Sequence, residues 1–137
     1  MAYILPKTVI EEAFEAWNER DWERFSSYLA DDITLVHPRL PEPLKGKEAY
    51  VEYDRRLIEA FPDGQCQTKT LAACGNTVVA EIVFKGTHKG QFADFPPTGR
   101  QVAIPFVEVF EVTNGRVTEV RRYIDWHTVT QELSRQL

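Results

Sequence analysis

The feature that most constrains the fold is a change of periodicity near residue 61. Before it, apolar residues recur at helical spacing in residues 6–19 and 46–61. After it come four runs rich in β-branched and aromatic residues: 65–74, 76–88, 101–112 and 116–125. Asn114 and Gly115 separate the last two runs and favour a tight hairpin, because both residue types accept positive φ. Helices followed by consecutive strands predict an α+β fold rather than a parallel α/β fold.

The rest of the chain completes this plan as a single domain over residues 1–137. Asp21 is typical of the N-cap of a second short helix. Residues 33–38 are strand-like and end at Pro38, and a proline-rich loop follows. The expected order is helix, helix, strand, helix, four strands and a helical tail. A strongly curved antiparallel sheet wrapped around the N-terminal helices would enclose a cone-shaped cavity.

Charge and composition exclude several classes of partner. The 16 Lys and Arg against 21 Asp and Glu give a net charge of −5, without a basic block, which disfavours nucleic acids and anionic membranes. No apolar run approaches the roughly 18–20 residues of a membrane span, and no signal-peptide pattern begins the chain, so a cytoplasmic location is expected. Cys66 and Cys74 lack metal-ligand spacing and are predicted to be reduced thiols.

Three segments carry a resemblance to a known family: "AWNERDWERFSSYLADDITLVHP", "FKGTHKGQFADFPPTGRQV" and "VFEVTNGRVTEVRRYID". Together they resemble the SnoaL-like, polyketide cyclase-type branch of the nuclear transport factor 2-like superfamily. The resemblance implies a cone-shaped α+β fold, often in a homodimer built sheet to sheet. It also implies cofactor-free chemistry in the cyclases, which catalyse an intramolecular aldol condensation. Related members are isomerases, dehydratases, hydrolases or non-catalytic proteins, so the fold alone does not define the function.

Asp125 is the first candidate catalytic residue. The resemblance implies a general acid/base at the end of the last strand, where Asp125 stands, and burial in an apolar cavity would raise the pKa of such a carboxyl. Asp125 could instead cap the helical tail. By strand alternation Tyr123 and Asp125 share one face, and Ile124 and Trp126 share the other. The two hypotheses therefore differ in which pair faces the cavity.

Two histidines are the next candidates. His37 shares a strand face with Ile33 and Leu35, and a neutral imidazole there could act as a base or orient a carbonyl. It could equally be a hydrogen-bonded core residue. His88 belongs to the "GTHKG" motif and is a candidate either for the pocket or for the turn between the glycines. The histidines lie on separate elements without ligand-like spacing, so no metal site is predicted.

Glu108 alternates with Ile104, Phe106 and Phe110. It is therefore expected either in the cavity or on an outward face, paired with Arg121 or Arg122. Aromatic residues would provide much of the pocket wall, and "GQFADFPPTGR" would cover its mouth. The predicted substrate-binding residues are Tyr53, Phe61, Phe84, Phe92, Phe106, Glu108 and Tyr123.

The leading hypothesis is a cofactor-free and metal-free enzyme for a small hydrophobic, carbonyl-bearing compound. It would catalyse aldol cyclisation or isomerisation, with Asp125 as general acid/base and His37, His88 or Tyr123 polarising the carbonyl. One alternative is a dehydratase or an epoxide hydrolase, the latter using two carboxylates that bracket an arginine. No Asp-x-Arg stands near Glu108, so distant residues would have to assemble that group. The other alternative is a non-catalytic, dimeric ligand-binding domain.

Overall fold

A computed structural model describes residues 4–134. The helices are α1 (Pro6–Asn18), α2 (Trp22–Ser27), α3 (Lys47–Ala60) and α4 (Trp126–Ser134). The strands are β1 (Leu29–Val36), β2 (Leu44–Lys45), β3 (Gln65–Cys74), β4 (Thr77–Thr87), β5 (Gln101–Thr113) and β6 (Arg116–Tyr123). The predicted α+β order is confirmed, with β2 as an additional two-residue strand after the proline-rich loop. The predicted helical tail is present to Ser134, and its last three residues lie outside the described range. Within residues 4–134 no helix is long and apolar enough to cross a membrane.

The six strands form one curved, open sheet in the order β2-β1-β6-β5-β4-β3. Neighbouring strands are antiparallel except β1 and β6, which are parallel. The sheet is therefore mixed, whereas the sequence predicted a wholly antiparallel one. Val36 pairs with Arg121, so the carboxyl ends of β1 and β6 meet at the same edge. This parallel pair brings the segment after β1 close to the end of β6.

Helices α1 and α3 pack inside the curve of the sheet. Helix α1 buries an apolar stripe that includes Val9, Ile10, Ala13 and Trp17. Alternate residues of β4 are buried in the same way, from Val78 to Phe84. These two periodicities, of a helix and of a strand, produce one continuous core.

Local signals determine where the elements begin and turn. The Asp21 carboxylate accepts a hydrogen bond from Arg24 N at 3.1 Å, so Asp21 is the N-cap of α2, as predicted. Asn114 and Gly115 have φ values of 52° and 75°, as a type I′ hairpin requires. Cys66 and Cys74 are free thiols.

Candidate active site

A cavity of about 470 Å³ lies between the sheet and helices α1 and α3. Its wall is mostly aliphatic and aromatic, and it carries five charged residues, namely Arg39, Asp54, Arg56, Glu108 and Arg122. A cavity of this volume with few polar groups is suited to a small organic molecule.

Arg122 is bracketed by two carboxylates on this wall. Its Nε donates to Glu108 Oε2 at 2.8 Å, and its Nη2 donates to Asp54 Oδ1 at 3.2 Å. The side chains of Arg122, Asp54 and Glu108 are only 12%, 7% and 5% exposed. Trp17 Nε1 donates to the second oxygen of Asp54 at 3.2 Å. We call Asp54, Glu108 and Arg122 the carboxylate–arginine cluster.

The fold positions each member of the cluster by simple rules. Glu108 and Arg122 are directly opposed in the antiparallel β5–β6 pair, so their side chains lie on the same face of the sheet. Asp54 lies one helical turn after Tyr50 on α3, and both are buried. The cluster therefore joins the sheet to α3 across the cavity wall.

Burial and charge act in opposite directions on Glu108 and on Arg122. Burial raises the pKa of Glu108, although the positive charge of Arg122 opposes the rise. Burial alone would lower the pKa of Arg122, but Glu108 and Asp54 outweigh it and hold that pKa well above its usual range. Two carboxyl groups in different surroundings around one fixed cation are an arrangement that can divide the roles of acid and base.

Two tyrosines, Tyr50 and Tyr53, line the same cavity as the cluster. Tyr50 is buried, and burial raises its pKa well above the usual value, so it remains a neutral phenol. Tyr53 also lines the cavity, and burial raises its pKa as well. Both hydroxyls can donate or accept a hydrogen bond, so they are able to orient water or a substrate oxygen.

His37 faces the cavity from the end of β1, on the predicted inward side. Its Nδ1 accepts a hydrogen bond from Arg39 N at 3.0 Å, which leaves the ring proton on Nε2. Burial, followed by the charges of Arg122 and Arg39, lowers the pKa of His37 to about 4. At neutral pH His37 is therefore an uncharged donor on the cavity wall, and its catalytic role stays a prediction.

Asp125 does not face the cavity, contrary to the leading hypothesis. Ile124 and Trp126 line the cavity, whereas Asp125 is exposed. Its carboxylate accepts hydrogen bonds from His127 N at 3.1 Å and Thr128 Oγ1 at 2.8 Å, at the start of α4. The bond from Thr128 is the main cause that lowers the pKa of Asp125. The first amides of a helix need an acceptor, so Asp125 is a helix cap.

Tyr123, which shares the outward face with Asp125, is 55% exposed and lies outside the cavity wall. The structure therefore does not place Tyr123 at the cavity, and its contact with a substrate stays a prediction. Strand alternation explains the result, because Arg122 and Ile124 occupy the inward positions on either side.

His88 is fully buried but does not line the cavity, so the structure does not bring it together with the other candidate residues. Its ring stacks on Phe61 with the centroids 5.2 Å apart, and burial lowers its pKa. Its Nδ1 lies 3.0 Å from Thr98 Oγ1, at the other end of the loop. His88 thus fixes the loop that joins β4 to β5, which is the turn function considered for the motif.

The remaining predicted substrate-binding residues do lie on the cavity wall: Tyr53, Phe61, Phe84, Phe92, Phe106 and Glu108. Their contact with a substrate stays a prediction. Residues 4–134 contain no group of three or more His, Cys, Asp or Glu side chains placed to hold a metal ion.

Sequence reasoning missed Asp54 as a site residue and did not place Arg122 in the cavity. A signal existed for both. Asp54 is in helical phase with Tyr50 and Leu57, and Arg122 alternates with the buried Val120. A charged residue on an otherwise apolar face is the pattern that would have identified them.

Comparison with known proteins is consistent with this architecture. The sequence model of the SnoaL-like polyketide cyclase family matches residues 7–133. A candidate polyketide cyclase from Acidithiobacillus ferrooxidans is 27% identical, with a TM-score of 0.84 and 100% of both chains covered. AclR from Streptomyces galilaeus, a candidate hydroxylase, is 25% identical, with a TM-score of 0.82 and coverage of 96% of this chain and 97% of AclR.

An LEH-like epoxide hydrolase from M. tuberculosis shares the fold at 20% identity, with a TM-score of 0.76 and coverage of 95% of this chain and 90% of the hydrolase. No curated protein matches the sequence. The family match extends over nearly the whole chain, from α1 to α4. The chain therefore belongs to the SnoaL-like polyketide cyclase family.

Proposed function

We propose that this protein is an enzyme that performs general acid/base chemistry, with its own side chains, on a small and largely apolar substrate. The observation that carries the proposal is the carboxylate–arginine cluster on the wall of an apolar cavity. A buried cluster of this kind is costly in free energy and is weak evidence of a role in stability alone. A buried carboxyl in a cavity with a raised pKa, such as Glu108, is typical of catalytic sites.

The reaction that best uses two carboxyl groups around an arginine is the hydrolysis of an epoxide. The ionised carboxylate takes a proton from water while the water oxygen attacks a ring carbon. The bond from that carbon to the ring oxygen breaks, and the protonated carboxyl gives its proton to that oxygen. The product is a diol. The base has gained a proton from water and the acid has lost one to the ring oxygen, so a proton must return from the base to the acid before the next turnover.

Glu108 fits the acid, since burial raises its pKa. Asp54 fits the base, because it accepts N–H donors at both oxygens, an arrangement suited to a carboxylate. Tyr50 and Tyr53 line the same cavity, and their hydroxyls would orient the water or the ring oxygen. With Glu108 as the acid, turnover is expected to fall as pH rises through the pKa of Glu108.

A second candidate is aldol cyclisation or isomerisation of a carbonyl compound. It is favoured by His37, whose uncharged ring carries its proton on Nε2 and can donate to a carbonyl oxygen. A carboxylate of the cluster would then remove a proton from the carbon beside that carbonyl, in place of the Asp125 of the leading hypothesis. The candidate polyketide cyclases among the similar structures support this alternative.

Turnover of epoxides and ketones distinguishes the candidates. Wild type is incubated with styrene oxide and cyclohexene oxide, and separately with 2-tetralone in D₂O to follow exchange of the hydrogens beside the carbonyl. Diol formation favours the hydrolase, and exchange favours the carbonyl enzyme. A single turnover in H₂¹⁸O should label the diol rather than Glu108 or Asp54, because water attacks directly.

The matched variants are Glu108→Gln and Asp54→Asn in the cavity, and Asp125→Asn outside it. The first two should lower turnover by about 10²–10⁴-fold, the usual contribution of a general acid or base. Asp125→Asn should retain turnover. Binding of these compounds without any conversion would contradict catalysis and favour a ligand-binding domain.

A further inference from the structure

Arg39 lies on the cavity wall next to Trp126. Its guanidinium carbon is 4.0 Å from the centroid of the Trp126 ring. Its backbone is fixed in a turn, because Arg39 N donates to His37 Nδ1 at 3.0 Å and Leu40 N donates to His37 O at 2.9 Å. The side chain therefore starts from a defined turn and packs against an aromatic ring, so its charged end is held in place.

Arg39 differs from the other arginines of the wall in its ion pairs. Arg122 has Glu108 and Asp54, and Arg56 has Glu52 at 3.7 Å. Arg39 forms no ion pair with any carboxylate of residues 4–134. A guanidinium that packs its face on an aromatic ring keeps its N–H edges available for an anion.

The ion pairs of the wall leave Arg39 as the arginine that is open to an anion. Arg122 is paired with Glu108 and Asp54, and Arg56 is paired with Glu52, whereas no carboxylate of residues 4–134 forms an ion pair with Arg39. Both carboxylates are already occupied by Arg122. Positive charge in a low-dielectric cleft attracts anionic ligands.

Arg39 and the carboxylate–arginine cluster line the same cavity. Arg39 is exposed, whereas Glu108 and Asp54 are buried. His37 lines this cavity as well, and its Nδ1 accepts the hydrogen bond from Arg39 N. Phe92 packs near Trp126, with the ring centroids 5.9 Å apart, and adds apolar surface at the Arg39 end.

We infer that Arg39 and Trp126 form an anion subsite at the cavity mouth, and that the substrate is a small carboxylic acid whose apolar body extends inward toward the cluster. The two oxygens of a carboxylate match the forked N–H donors of one arginine and can accept two parallel hydrogen bonds from it. The inference rests on the proposed function for the chemistry at the inner end. It adds the class of substrate and the direction in which it binds.

Binding of matched acids and amides tests the subsite without any turnover. The probes are 3-phenylpropanoate, 4-phenylbutanoate and 5-phenylpentanoate, each paired with its primary amide and titrated calorimetrically into the full chain. In wild type, at least one acid should bind about tenfold more tightly than its amide, as a charge-assisted hydrogen bond allows. High salt should reduce the preference.

The matched variants are Arg39→Gln and Arg55→Gln. Arg55 is also exposed and lies over a tryptophan, 6.0 Å from the ring of Trp22, but it is not on the cavity wall. Arg39→Gln should reduce the preference to about twofold or less and leave amide binding unchanged, whereas Arg55→Gln should keep it. Equal binding of acids and amides to wild type, or a preference that survives in Arg39→Gln, would overturn the subsite.

The two proposals fail separately. Glu108→Gln should keep the preference for acids over amides, because Arg39 is intact. A preserved preference without conversion of any epoxide or carbonyl compound would remove the proposed catalysis and leave the subsite. Conversion of neutral epoxides without a preference for acids would remove the subsite and leave the catalysis.

Discussion

Arg122 Nε donates to Glu108 Oε2 at 2.8 Å from the opposed position on the neighbouring strand. Arg121, one residue earlier, points to the other face and pairs with Glu111 and Glu119 at 3.0 Å and 2.9 Å. A slip of the β5–β6 register by one residue would exchange the two arginines between the faces. The register therefore determines which of two chemically identical side chains enters the cavity.

Replacing Arg122 by methionine should destabilise the protein strongly. The change keeps the apolar stem but leaves Glu108 and Asp54 buried without their cation, which typically costs about 3–5 kcal/mol. Both carboxyls would also favour protonation, so the loss should be smaller at low pH. Chemical denaturation at pH 5 and pH 8 measures both effects.

Arg121→Met is the matched control, because it also removes a guanidinium, but one whose two ion pairs, with Glu111 and Glu119, are partly exposed. Its cost should stay within about 1 kcal/mol, the usual value of surface ion pairs. An equal decrease in the free energy of unfolding for the two variants would contradict the claim that Glu108 and Asp54 depend on a buried cation.

Much of the fold could be predicted from the sequence because its signals are local. Asp21 caps α2, and Asn114 with Gly115 forms the hairpin, since both depend on a few neighbouring residues. Strand alternation placed Glu108 on one face with Ile104, Phe106 and Phe110, but did not decide whether that face lies inward or outward. The parallel pairing of β1 with β6 could not be predicted in this way, because it joins segments that are far apart in the sequence.

The site was harder to predict because its members meet only in three dimensions. Asp54 and Arg122 are 68 positions apart in the sequence, so no local pattern joins them. Asp125 was favoured by its place after the last strand. That place is also where α4 begins, and the need for a helix cap determined its role.

Replacing Asp125 by alanine should destabilise α4, whereas Asp125→Asn should have little effect. Alanine removes the acceptor for His127 N and Thr128 Oγ1, while asparagine remains a good N-cap. Hydrogen exchange of the α4 amides in wild type and both variants measures the difference. Equal protection of α4 in wild type and Asp125→Ala would contradict the assignment as a cap.

His37 should make the protein less stable as pH falls from about 6.5 to 4. The pKa of His37 is lowered to about 4 in the folded state. The contribution of His37 to folding stability is therefore complete above the unfolded pKa of 6.5, and it is lost as pH falls toward the folded pKa. The shift corresponds to about 3 kcal/mol at the acid end.

The comparison is with His37→Asn, whose Oδ1 can replace Nδ1 as acceptor for Arg39 N but does not titrate. Urea unfolding at several pH values should show that wild type loses more stability than the variant over this interval. Parallel curves for the two proteins would contradict the neutral, buried state of His37.

Gly90→Ala should loosen the loop between β4 and β5 from the end of α3. Lys89 N and Gly90 N both donate to Ala60 O, and a Cβ on residue 90 would lie 2.6 Å from Glu59 O, a backbone atom that cannot move aside cheaply. Such overpacking typically costs about 1–3 kcal/mol. Because Phe92 follows two residues later and lines the cavity, Gly90→Ala should also weaken binding of the phenylalkanoate probes.

Lys89→Ala, which alters an exposed side chain, is the control and should change stability by no more than about 0.5 kcal/mol. Thermal unfolding and calorimetric binding of the three proteins test the expectation, and a Gly90→Ala variant as stable as wild type would show that the loop does not depend on this close approach.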